Sequence, residues 1–578
     1  MNKTEKIISL LLAAVLAWYL FGNLKSGANK TDEGETFEVS SNVTGEITKV
    51  SAPEVAGVSS QDETLRLAEV PTVPEEKIAL ENELVKLELS SHGAVVTKAT
   101  LKKYAKGIGE VSDENPALEF DFARSPLGTI EGLKGALRLS AFKVVSSTSN
   151  EVVFANDVLV RKLTLLDNYL IKFEETFKGS YGEGLKNTVS LGAVSMGSSK
   201  NDILSVDSWA VNTDEVVHHC EGDSPLKGFL VGGAGGCSGS KSAAGLSQMI
   251  SVSYPGAQKW IALKNRFFVT ALVSSSEINN GFDATIARDM KSADYRPESI
   301  SAKAVFTAVP EKRELIFYVG PKKQSLLWNL DMEDVMEFGM WRWICYPILS
   351  LLNFFNSFIP NFGIAIILLT ILVRIVFWPL THKSTIGMKK MQEIQPKMKE
   401  IQAKFKDNPQ RLQQETWALY REAKVNPMSS CLPMLIQIPV FIALFNVLRS
   451  AVELRYAPFL WIADLSEPEA LFSSWFPFGG GLNILPIFMA LTMALQSALT
   501  PSTGDKNQQR MMVVFMPIMM LVMFYNFPSA LSLYWTLSQI FSIVQMWLIR
   551  RHSSIKTEVV SNVEVIDPPV TRQMKRHR

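Results

Sequence analysis

Acidic residues are absent from every long apolar stretch of this chain. Phe362–Leu380, 431–448, 482–499, 511–527 and 530–549 contain neither Asp nor Glu, which argues against the carboxylate proton relays that pumps use. Histidine is scarce, six in 578 residues. Only His92, His218 and His219 lie in the polar middle of the chain, too few to assemble a catalytic cluster there. Cysteine is rarer still, at Cys220, Cys237, Cys345 and Cys431. None lies near the N-terminus, against a lipoprotein-type anchor. An excess of charge of either sign is missing too: the net charge is +1, so nothing points to nucleic acid as a principal ligand. No internal repeat is found, although a solute transporter or channel would be expected to show one. A complete phosphate loop is also lacking. Gly235–Ser242 imitates one but has Ser240, not Gly, before Lys241.

What is present begins with Phe362–Leu380. It is about as long as the roughly 20 residues a bilayer-crossing helix needs, and it carries one full charge, Arg374. A central Arg costs about 2.5–3.5 kcal/mol on insertion scales. Chains that keep one usually face it into a polar cavity. The competing reading is snorkelling: Pro379 and His382 mark the aqueous end, roughly 7–12 Å from Arg374, within partial reach of a long side chain. This stretch alone leaves both readings open.

In chain order, Lys3 and Lys6 precede the apolar run Ile7–Phe21, a charged head and short apolar core read as an uncleaved signal anchor over 1–24. Residues 25–77 are polar, acidic and almost free of aromatics, a flexible tether. From 78 to 322 apolar residues alternate, as in Val85, Leu87 and Leu89, or Tyr169, Ile171 and Phe173. Trp260–Leu263, Phe267–Leu272 and Glu314–Val319 read as further strands, giving an exported all-β sandwich. In its Gly-rich loop, an exporting compartment permits a Cys220–Cys237 disulfide; the spacing of these two with His218 and His219 matches no standard zinc pattern. Residues 323–360 read as a helix over Gln324–Phe338 and then an interfacial helix with Trp341 and Trp343 at its head. The span 361–381 follows, then a segment 382–428, four spans within 429–550 and a basic tail, 551–578.

The positive-inside rule orients these spans. Segment 382–428 holds Lys383, Lys389, Lys390, Lys397, Lys399, Lys404, Lys406, Arg411, Arg421 and Lys424, while loop 453–481 has Arg455 against Glu453, Asp464, Glu467 and Glu469. Both termini, 382–428 and 500–510 are therefore placed in the cytoplasm, with the β domain and loop 453–481 outside. Met388, Met391, Gln395, Met398 and Phe405 fall at helical spacing before Asp407-Asn408-Pro409, so 382–428 reads as a helical hairpin with a basic face. It serves either as an orientation signal alone or as a dock for an acidic or RNA-rich partner. Polar stripes mark later spans: Ser532, Thr536, Gln539 and Ser542 on one, Thr492, Gln496 and Thr500 on another, with Gln437 and Thr370 elsewhere. Singly, each is explained as interhelical packing. Together with an Arg that has no acid to pair with, they favour a hydrated cavity.

Several motifs then resemble one family. Thr370-x-x-x-Arg374, Trp378-Pro379-Leu380-Thr381, Gln395-Pro396-Lys397, Val425-Asn426-Pro427, Pro433–Pro439, Met516-Pro517 and Phe527–Trp535 look like the YidC membrane insertase family of the Oxa superfamily, across about 340–550. The anchor and β domain resemble the Gram-negative form. The resemblance implies an α-helical membrane protein with six transmembrane helices, five of them forming the insertase core, and an inserted periplasmic β-supersandwich. It implies insertion and folding of nascent inner-membrane proteins, alone or with the Sec translocon, with the ribosome or targeting factors at the hairpin and tail and no cofactor. Arg374 would stand in a groove open to the cytoplasm and the lipid bilayer, braced by Thr370 and Gln437, with Gln496, Thr536 and Gln539 as further groove residues. Trp535 stands where the family often has Tyr, facing Thr370; an indole donates a hydrogen bond but accepts poorly. Trp378 also replaces a commoner Tyr. The alternatives are a small-solute transporter or channel and an anchored sugar enzyme.

Overall fold

The computed structural model describes residues 74–552 apart from 134–139, 180–184, 196–203, 212–214, 222–248, 279, 289–296, 424–431, 473–480 and 501–509. The expected anchor, most of the tether and the tail lie outside the described residues, as does Cys237 with the proposed disulfide.

The alternating segments form three antiparallel sheets. Lys77–Glu81, Val85–Ser90, Val95–Ala105 and Ala117–Asp121 make a four-stranded sheet in sequential order. A nine-stranded sheet runs, in spatial order, Glu215–Glu221, Ser205–Ala210, Gln258–Lys264, Phe268–Ile278, Lys312–Pro321, Leu170–Phe177, Leu159–Leu165, Glu151–Ala155 and Lys143–Ser147. The third sheet runs Met249–Tyr254, Phe282–Arg288, Pro297–Phe306, Asn187–Ser195 and Ile130–Glu131. Period-two alternation sends every second side chain to one face. Phe173 therefore sits between Leu163 and Leu315 in register, and its ring meets that of Phe317 at 4.9 Å. The expected strands at Val85–Leu89, Trp260–Leu263, Phe267–Leu272 and Glu314–Val319 all form.

The segment after the last strand departs from the expected continuous helix. α1 spans only Gln324–Trp328. A 3-10 turn follows at Glu333–Met336, with Asp331 and Glu337 in the left-handed region at φ 52° and 59°. Tertiary contacts override helical spacing here. Leu327, Met332, Val335 and Met336 all enter the core, and Glu337 turns its carboxylate to within 2.8 Å of the Lys264 ammonium. α2, Arg342–Phe358, buries Cys345, Ile348, Leu349 and Leu352. Its other side leaves Trp343 66% and Phe358 71% exposed, an apolar surface better suited to lipid than to water.

α3 runs from Phe362 to Glu393. Asn361 caps it, its side chain accepting from the Ile364 N–H at 3.1 Å. Gly363 lies against the Phe459 ring, which a Cβ would meet at 2.1 Å. The helix continues past 381 without a break, so the expected span and the start of the expected hairpin's first arm are one rod. It stops at Ile394 because Pro396 has no N–H for a continuing helix. α4, Gln395–Lys404, and α5, Pro409–Glu422, follow, joined by the expected turn, where Asn408 caps α5. The remaining helices are α6 (Leu432–Ser450), α7 (Ile484–Leu499), α8 (Met511–Phe524) and α9 (Ser529–His552). α8 opens with a π-helical turn, Met511–Phe515.

By length and composition, α3 is the one described helix long and apolar enough to cross a membrane. Gln437–Ser450, Ile484–Leu499 and Met511–Phe524 are shorter apolar helices. The helical membrane core is thus visible in part, and the described residues do not establish a count of six spans. Large apolar side chains such as Ile375, Leu491, Val522 and Trp547 stand exposed around it.

The β domain and the helices share one buried apolar cluster running from Leu80 to Tyr534. Arg266, in the turn between two strands, reinforces the junction. It donates to the Arg449 carbonyl at 2.7 Å, to the Ser466 carbonyl at 2.6 Å and to the Glu467 carboxylate. The Glu467 and Leu465 carbonyls in turn accept from the Ser529 and Ala530 N–H groups that begin α9. One β-domain side chain thereby reaches the end of α6 and the seat of α9.

Candidate functional site

α9 is the helix on which the polar residues converge, because it packs against α3, α6 and α7 together. Its side chains advance about 100° per residue. Tyr534, Ser538 and Gln545 therefore share a stripe about 40° wide, and each meets a neighbour on α3 or α6. The Arg374 guanidinium on α3 donates to the Ser538 hydroxyl. Gln437 on α6 donates to the Tyr534 hydroxyl at 2.7 Å, one turn along α9 from Ser538. About two turns on from Ser538, Gln545 donates to the Thr381 hydroxyl at 2.8 Å.

Arg374 is half-buried and, among the described residues, forms no ion pair. Its bonded partner is the neutral Ser538 hydroxyl, which orients a cation without cancelling its charge. Such a group attracts an anion. Among the described residues no cluster of His, Cys, Asp and Glu could hold a metal.

The structure brings some of the residues singled out in the sequence to this place and sends others elsewhere. Arg374 and Gln437 are in the cluster. Thr370 is fully buried and donates to its own helix at the Ile366 carbonyl, 2.7 Å away. Trp535 lies about 100° around α9 from Tyr534, where its ring packs against Phe441 at 4.9 Å and Phe524 at 5.5 Å, while the Thr370 hydroxyl is taken up by its own helix. Gln539 accepts from Thr492 on α7, and Thr536 donates back to the Ser532 carbonyl. Gln496 is partly buried on α7, its backbone carbonyl accepting from Thr500. Of the stripe Ser532–Thr536–Gln539–Ser542, Gln539 thus meets α7, while Thr536 and Ser542 bond back to carbonyls of α9 itself.

Tyr534, Ser538 and Gln545 are the residues that sequence reasoning misses. Tyr534 passes as apolar in a span, and Ser538 is one small hydroxyl among several. The signal that finds them is their spacing of four and then seven residues, which puts all three on one face.

Comparison with known proteins follows this division of the chain. Residues 354–557 match the family model of the 60Kd inner membrane protein, and residues 239–351 that of the YidC periplasmic domain. A membrane protein insertase YidC from Chlorobium phaeovibrioides is 30% identical, the match covering 98% of both chains.

The chain belongs to the YidC membrane protein insertase family.

A second YidC, from Syntrophobacter fumaroxidans, is 41% identical over 303 residues, 51% of this chain and about half (54%) of its own length. A crystal structure of an active YidC insertase with its first transmembrane domain resolved is similar at 18% identity and a TM-score of 0.33, covering 82% of this chain and 92% of its own. Arg374, Gln437, Tyr534 and Ser538 all fall within the 354–557 match to the family's inner-membrane model.

Proposed function

We propose that this chain inserts and folds inner-membrane proteins, alone or beside the Sec translocon, through a hydrophilic groove built around Arg374 and without nucleotide hydrolysis. The observation that carries the reading is the neutrality of what touches Arg374. A guanidinium held against Ser538, with no carboxylate among the described residues to pair with it, remains available to an incoming anion. The acidic outer tail of a nascent membrane protein supplies one, gaining charge-assisted hydrogen bonds. A water-containing groove shortens the hydrocarbon the tail must cross. Partitioning of the substrate's apolar segment into lipid, and a membrane potential worth about 2.3 kcal/mol per charge per 100 mV, drive the step.

In this reading six helices span the inner membrane, both termini are cytoplasmic, and the β domain is periplasmic with α2 lying in the interface. The hairpin of α4 and α5 and the basic tail receive the ribosome or targeting factors. Complementation of an insertase-depleted cell tests it. Wild type and Arg374→Lys are expected to rescue and Arg374→Ala to fail. Full rescue by Arg374→Ala would reduce Arg374 to a snorkelling anchor.

A further inference from the structure

The Arg374–Ser538 contact admits a sharper statement about which substrates the groove prefers. Ser538 is buried, one turn along α9 from Tyr534, and Tyr534 is itself fixed by Gln437. The hydroxyl that receives the guanidinium therefore lies buried on the stripe of α9 that α6 contacts at Tyr534. The acceptor is also uncharged. A carboxylate at the same position would form a closed ion pair and remove the attraction for any other anion; a hydroxyl gives direction and leaves the charge. From this geometry we infer that Ser538 is a positioning residue that sets the groove's selectivity for acidic substrate tails: it holds Arg374 in a resting pose from which a substrate carboxylate can displace it. This inference rests on the proposed groove role of Arg374.

The inference makes the charge at position 538 the control. A carboxylate there imitates a permanently bound tail. Three full-length chains, wild type, Arg374→Ala and Ser538→Asp, are reconstituted in lipid vesicles. Each is given two single-span substrates that differ only in an acidic or an uncharged outer tail. One charged hydrogen bond corresponds to about a tenfold difference. Wild type is expected to insert both substrates, and Arg374→Ala to lose about tenfold on the acidic tail while sparing the uncharged one. Ser538→Asp is expected to reproduce that selective loss. If Ser538→Asp handles the acidic tail as wild type does while Arg374→Ala does not, Ser538 has no such role and the inference alone falls. If Arg374→Ala inserts the acidic tail normally, the underlying groove reading falls instead. If Ser538→Asp fails on both tails, the residue is merely structural.

A second measurement needs no insertion activity. Ser538→Cys, in a chain whose other cysteines are replaced, is labelled with anionic and cationic methanethiosulfonates of equal size. The anionic reagent is expected to react about tenfold faster, and Arg374→Met to remove the difference. Equal rates with Arg374 present, or no reaction with either reagent, would overturn the inference.

Discussion

Two regions of the molecule withdraw arginine side chains from water, and they treat the charge in opposite ways. In the β domain Arg161 and Arg313 are buried on either side of Glu175, at 2.6 and 2.7 Å. Arg161 also donates to the Ala94 carbonyl and Arg313 to the Asn187 side chain. Burial alone would raise the Glu175 pKa, but the two guanidinium charges and their hydrogen bonds outweigh it and hold the carboxyl below its ordinary range. Arg374, among the helices, has a hydroxyl for its partner. The first arrangement is an ion-paired network in which two guanidiniums share one carboxylate, with Arg161 Nε left without a hydrogen-bond partner among the described residues. The second leaves a charge oriented and unspent. Burial of an arginine therefore does not mark a functional site in this fold. In the proposed reading, what marks one is burial without an acid.

The comparison can be broken at several points, beginning where the effect is largest. Glu175→Ala leaves two buried guanidiniums unneutralised and is expected to destabilise the β domain by about 3–5 kcal/mol, read by thermal unfolding and limited proteolysis of the full chain in detergent. A loss below about 1 kcal/mol would mean that the Glu175 carboxylate does not hold the two guanidiniums in place. The same group sets an acid limit. A carboxyl with a depressed folded pKa contributes stability above its unfolded value of about 4.3 and loses that contribution as pH falls through the folded value. The β domain should accordingly lose stability as pH falls below about 4.3, and a Glu175→Gln chain should show a flatter profile there.

The junction between the regions comes next. Arg266→Ala removes three polar contacts at once and is expected to cost about 2–3 kcal/mol locally, seen as faster hydrogen exchange across 449–467; unchanged exchange would remove Arg266 as a tie. Within the helices, Tyr534→Phe deletes one acceptor for Gln437 and is expected to cost about 1 kcal/mol in the same unfolding assay. The smallest effect has the opposite sign. Glu453, beside the junction, is pushed above the ordinary carboxylate range by burial, against Asn353 and Lys323. A raised folded pKa costs stability as pH rises. Glu453→Gln is therefore expected to raise the melting temperature by roughly 2 °C at pH 8 and to do nothing at pH 4; a fall at pH 8 would show that the charge is compensated.

Much of this was legible from residues alone, for physical reasons that also explain the failures. Val85–Leu89 and Tyr169–Phe173 declare themselves because one sheet face is buried and the alternation is unbroken. Asn408-Pro409 declares a helix start because the cap and the proline act locally. Arg374 stands out because a charge in an apolar run is costly wherever the helix packs. The Gln324–Phe338 segment misled because its breaks at Asp331 and Glu337 serve partners far away in the chain, the core and Lys264. The polar face of α9 misled differently. Ser532, Thr536, Gln539 and Ser542 form a denser stripe than Tyr534, Ser538 and Gln545, yet which stripe meets Arg374 depends on the rotation of α9 against α3, and that is set by packing.

The central claim is that Arg374 is kept for its charge and not for stability. It is tested most directly by measuring stability and insertion on one preparation of Arg374→Met reconstituted in lipid vesicles. The account predicts a melting temperature within about 2 °C of wild type together with a loss of insertion of acidic-tailed substrates. A chain that melts much earlier, as Glu175→Ala should, or that inserts those substrates undiminished, would contradict it.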